Sequence, residues 1–110
     1  MGTTSIEIGS GTWTIDVVPA DHPELIRGSA WGIAVPAAKS ILISEDLGED
    51  TYYQVLLHEL LHAVSIESVV GYFDDLSEEA HHDLDRLAKG LYGMMKANGW
   101  KIPKELRRGE

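Results

Sequence analysis

Two histidines and a glutamate in the run Leu57-His58-Glu59-Leu60-Leu61-His62 carry the spacing H-E-x-x-H. In an α-helix, residues four apart share a face, so both imidazoles can reach one ion with the glutamate beside it. Neutral imidazole is a good zinc ligand, and two of them leave room for a third protein ligand and a water in a tetrahedral site. Zinc lowers the pKa of a bound water toward about 7, and an adjacent carboxylate can take the proton during attack on a carbonyl and hand it to the leaving amine. His58 and His62 are therefore expected to hold one Zn2+ ion, with Glu59 as the general base of peptide-bond hydrolysis. The alternative is accidental spacing. It would bury three ionisable side chains among Leu, Val and Ala without compensation, which is costly.

The chain has no cysteine, so any metal must be held by His, Asp or Glu. A third ligand has to come from the segment that follows, where Glu78, Glu79, His81, His82, Asp83 and Asp85 are the candidates. At about 100° per residue, His81 falls at the core-side edge of that segment's apolar stripe and His82 points away from it. His81 is the preferred ligand, and Glu78, Glu79 and His82 stay open as alternatives. Asp85, one turn after His81 on the same side, suits a carboxylate that orients a metal-bound imidazole. A phenol near the metal, from Tyr72 or Tyr92, would stabilise a tetrahedral oxyanion. His22, in an irregular stretch, is given no role.

These residues need elements to position them. Residues 1–45 read mostly as strands: Ser5–Ile8 and Thr12–Val18 alternate in polarity across Gly9-Ser10-Gly11 and suggest a hairpin. Gly32–Val35 and Ser40–Ser44 form a second pair of short apolar runs around Pro36–Lys39. Between the pairs, residues 19–32 show no period and are expected to be loop, with at most one helical turn at Pro23–Arg27. From residue 50 to 68 the period becomes helical, apolar around most of the circumference, so this motif helix should be buried. Asp75-Leu76-Ser77-Glu78 has capping-box spacing and opens a second helix over 76–97. Its stripe is Ala80, Leu84, Leu87, Leu91 and Met95, and Asn98-Gly99 ends it.

The composition is that of one ordinary folded domain spanning 1–110, with 44% apolar and 25% charged residues. A net charge of -9 argues against nucleic acid as a partner. Seven of the nine basic residues follow position 85, and the tail 100–110 carries Lys101, Lys104, Arg107 and Arg108, expected to be a solvated terminus. No apolar run is long enough to cross a bilayer and no basic-then-apolar leader opens the chain, so the expected location is cytoplasmic.

The run Leu56–Ala63, with a strand before it and a helix after it, resembles the small HExxH metallopeptidase-like proteins of bacteriophages and prophages. It is similar in plan to the ImmA/IrrE-type and SprT-type minimal zincins. The likeness extends over roughly residues 31–100. It implies an α+β, zincin-like fold in which a three- to four-stranded sheet packs on the motif helix and a second C-terminal helix. It also implies an edge strand beside the metal cleft, to which a substrate polypeptide can add, and a bacterial host cell as the setting. In gluzincin-like relatives the third ligand is a Glu early in the second helix, and the matching position here is His81. The other functions the sequence allows are a non-catalytic zinc-bound module that binds a host or phage protein and a zinc hydrolase acting on a carbonyl centre other than a peptide.

Overall fold

The computed structural model describes residues 3–9, 11–68 and 78–107. Within them the chain is an α+β fold. Four strands, β1 (Thr3–Ile8), β2 (Gly11–Val18), β3 (Gly32–Val35) and β4 (Ser40–Ser44), form one mixed sheet in the order β1-β2-β4-β3. Three helices accompany it: α1 (Pro23–Gly28), α2 (Glu49–Glu67) and α3 (Glu78–Ala97).

The strands form where alternation is strongest. In β2, Gly11, Trp13 and Ile15 are buried and their neighbours are not, so one face of the hairpin supplies the core. The β1–β2 and β3–β4 pairs are antiparallel, as expected of adjacent runs, but β2 and β4 pair in parallel, Ile15 opposite Ile41 and Val17 opposite Ile43. Parallel neighbours require a crossover. The segment read as loop provides it, with α1 capped at its start by His22, whose Nδ1 accepts from the Glu24 N–H at 3.2 Å. The crossover leaves β3 at the sheet edge and β4 inside, where Ile41–Ser44 are all buried.

Helix α2 lies on the sheet, with Tyr52, Leu56 and Ala63 packed in one cluster with Trp13, Ile15, Ile41 and Ile43. Helix α3 packs on α2 through Ala80, Leu84, Ala88 and Tyr92, at four-residue spacing. Three expectations change here. The sheet and α3 cover only part of α2, so Leu57, Leu60 and Leu61 are half-buried and Val64 is exposed. Leu87, assigned to the buried stripe of α3, is also exposed, because small alanines at 80 and 88 bring that helix close along a neighbouring line. The basic tail is more than solvated terminus: Ile102 and Leu106 pack against the core. The proposed start of α3 at Asp75–Ser77 lies outside the described residues, whereas its end at Gly99 has the expected left-handed φ of 70°. No helix among the described residues is long and apolar enough to cross a membrane.

At the sheet edge, β3 and α2 approach closely at Gly32. A Cβ there would stand 2.6 Å from Val55 Cγ1 and 3.3 Å from the Leu42 carbonyl oxygen. Gly32→Ala should therefore force α2 off the edge strand and cost about 1–3 kcal/mol, as overpacking does. Gly90→Ala, in α3 with open space around it, should instead stabilise by about 0.5–1 kcal/mol through helix propensity. Urea unfolding of the two variants checks both signs.

Candidate metal centre

His58 and His62 stand one turn apart on α2, half-buried, and His81 reaches them from α3. The His58–His62 ring centroids are 5.0 Å apart, His62–His81 5.3 Å and His58–His81 6.2 Å. Three imidazoles on one tetrahedral zinc have centroids about 5 Å apart, given the zinc–nitrogen bond length. Two sides of the triangle fit that figure and the third is wider. Among the described residues no three His, Asp or Glu groups are placed so that they could hold a metal ion, and the His58–His81 side of this triangle is the one that departs from the tetrahedral figure. All three rings line one cleft of about 560 Å³. His81 is exposed, as are Glu78, Glu79 and His82, but of these four only His81 lines the cleft.

Burial sets the charge state of the α2 groups. Desolvation holds the His58 pKa below the usual histidine range, partly opposed by the Asp85 carboxylate, which favours the neutral ring that a metal needs. Asp85 Oδ1 is 3.6 Å from His58 Nδ1, and its Oδ2 is 3.0 Å from Lys89 Nζ. The carboxylate expected beside His81 is thus beside His58. With Nδ1 turned to Asp85, Nε2 is the nitrogen left for the cleft.

Glu59 is 7% exposed, and burial pushes its pKa up to about 7. Its carboxylate accepts a hydrogen bond from the Ala34 N–H, which opposes that shift. The strand explains why this N–H is on offer. The Ser44 N–H donates to the Trp31 carbonyl at 2.8 Å, so in the antiparallel alternation residues 31, 33 and 35 face β4 while 32 and 34 face away. The free edge of β3 therefore runs beside Glu59.

Both ends of α2 are tied down. At its C-terminal end, Glu67 Oε2 accepts from the buried Trp13 indole at 2.7 Å and pairs with Lys39 Nζ at 2.6 Å, contacts that hold its carboxyl below the usual range. At the other end, Asp50 Oδ1 accepts from the Tyr92 hydroxyl at 2.8 Å and from Lys96 at 3.1 Å. Tyr92 is thereby removed as an oxyanion donor: its hydroxyl is engaged at the far end of α2 and lines a different pocket, and its pKa is pushed up to about 12, chiefly by burial. Tyr72 lies outside the described residues.

Sequence reasoning missed Gly32 and Ala34. A glycine opening a short apolar strand is a sign of close backbone approach, so Gly32 was readable. Ala34 acts through its N–H and leaves no mark in the side-chain pattern.

The Glu59 environment has a measurable consequence. Between its ordinary value of 4.5 and about 7, the unfolded chain has released this proton while the folded chain keeps it. Stability of the metal-free protein therefore falls as pH rises through that window, by about 3 kcal/mol from this group. His58, with its lowered pKa, acts oppositely below its own ordinary value, so a difference measurement isolates Glu59. In chelator, the stability of Glu59→Gln relative to wild type should increase by about 3 kcal/mol between pH 4.5 and pH 8. Urea unfolding at the two pH values tests this, and a constant difference would exclude the buried, neutral carboxyl.

No family model, curated protein or solved structure matches the chain.

Proposed function

We propose that the protein is a zincin-like, zinc-dependent peptide hydrolase, with His58, His62 and His81 holding the ion and Glu59 acting as general base. The observation that carries this reading is the meeting of three imidazoles from two helices on one cleft wall, with a buried carboxylate between the first two. The donor set suits zinc, since nitrogen-rich sites without thiolate are common among catalytic zinc centres. The ion, when bound, supplies a Lewis acid that polarises the carbonyl and acidifies a water.

The chain's own groups do the rest. Asp85 braces the His58 ring and Lys89 braces Asp85. Glu59 accepts the proton of the attacking water and returns it to the leaving nitrogen. The outward-facing backbone groups of Gly32 and Ala34, apart from the Ala34 N–H that Glu59 engages, offer main-chain hydrogen bonds to an extended polypeptide, and α2 with α3 closes the cleft on the other side. The resemblance to phage and prophage zincins supports the same reading.

Elemental analysis should find about one zinc per chain, and His58→Ala, His62→Ala and His81→Ala should each lose it. Asp85→Asn should weaken zinc binding by about 10- to 100-fold. Glu59→Gln should keep the metal and lower the rate of cleavage of unfolded polypeptides by about 10²- to 10⁴-fold. Full zinc affinity in His81→Ala would remove His81 as a ligand and bring Glu78 or Glu79 forward. Zinc binding with no cleavage of any polypeptide would leave the non-catalytic partner-binding module.

A further inference from the structure

Two cavities meet at Glu59. The larger, about 560 Å³, extends toward the C-terminal end of α2 and is lined by His58, His62 and His81 and, beyond them, by Ile33, Ala34, Pro36 and Ile66, with no lysine or arginine among the described residues that line it. The smaller, about 300 Å³, extends toward the N-terminal end of α2, where Trp31 faces Thr51, Gln54, Asp85 and Lys89. Gly32, His58 and Glu59 line both. The two lie along α2 on either side of His58 and Glu59 and share Gly32 of β3, with Ile33 and Ala34 bordering the larger only and Trp31, just before the strand, the smaller only.

We propose that this cleft reads a polypeptide differently on its two sides: an apolar side chain is selected between Ile33 and Ile66, and Trp31 grips the segment on the other side of Glu59. The inference rests on the proposed peptide hydrolase and specifies its substrate. A side chain lodged against Ile33 and Ile66, beyond the imidazoles that would hold the ion, exchanges water for aliphatic walls, which favours Leu, Ile, Met or Phe over a charged side chain. Trp31 is 63% exposed, unlike the fully buried Trp13, yet its carbonyl is fixed by the Ser44 N–H. A rigid base that presents a bare indole beside the cleft offers contact area at little ordering cost. Polar neighbours at Gln54, Asp85 and Lys89 let the smaller side accept polar residues that the larger one rejects.

The test is capture of a library of end-capped octapeptides on immobilised Glu59→Gln protein, with and without chelator, read by mass spectrometry. The expected result is at least tenfold enrichment of apolar over acidic residues at one position. Ile33→Thr and Ile66→Thr, whose folding is checked by circular dichroism, should each lower that ratio severalfold. Trp31→Ala, at an exposed position, should weaken retention severalfold without changing the ratio, and bound peptide should shift tryptophan emission in the parent but not in Trp31→Ala. Equal retention of Leu- and Asp-bearing peptides, or retention indifferent to Trp31→Ala, overturns the proposal. So does self-association lost in Trp31→Ala with no peptide enriched, which would make a second copy the occupant. Selective capture by a protein that neither binds zinc nor cleaves would sink the hydrolase reading alone. Zinc binding and cleavage without selectivity would sink this one alone.

Discussion

A carboxylate withdrawn from water needs either a proton or compensating partners, and Glu59 stands where the fold supplies only part of the compensation. Its position depends on α2 riding close over β3, which depends in turn on residue 32 having no side chain. At that distance the Ala34 N–H reaches the carboxylate. One hydrogen bond does not offset the desolvation, and the balance leaves the carboxyl half-willing to ionise near neutral pH. Move α2 outward and Glu59 becomes a solvated acid. His58 and His62, on the same turn, would lose the cleft wall with it.

The approach of α2 to the sheet is set at its ends. Glu67 joins the helix terminus to Trp13 in β2 and to Lys39 in the β3–β4 turn, so the C-terminal end cannot lift without breaking a charged pair and stranding a buried indole. Asp50, at the opposite end, joins α2 to α3 through Tyr92 and Lys96, while the Tyr92 ring stacks on Tyr53 at 6.1 Å. The second tie fixes the register of α3 on α2. His81 and Asp85 lie three and two turns before Tyr92 on that helix, and a fixed register is what carries them to His62 and His58.

Much of this architecture was legible in the chain. The two strand pairs, the motif helix and the second helix each follow from a local period, and the pairing of His58 with His62 follows from one turn of helix. What local pattern could not give was the topology. The parallel pairing of β2 with β4 depends on a crossover, and its helix α1 is only six residues long in a stretch with no hydrophobic period. The face of α3 was readable to within one residue. Helical periodicity assigned His81 to the cleft side, but it also assigned Leu87 to the core, because it cannot tell that Ala80 and Ala88 allow a closer line of contact. Asp85 was expected beside His81, yet its nearest imidazole is His58, across the helix interface and not along the helix. Sequence spacing describes neighbours on one element; the partners here are set by two.

The electrostatics of the proposed centre follow from the same burial. Without a cation, the cleft lowers its own charge: His58 is held neutral and Glu59 retains its proton to about pH 7. A divalent ion beside these groups reverses the preference of the carboxyl, since a nearby positive charge favours its ionised form, while it keeps the imidazole unprotonated. Ion binding is then coupled to release of the Glu59 proton. In the proposed reading Glu59 would act as a base only with the ion present, and without it the proton that Glu59 keeps spares the cleft a bare buried negative charge.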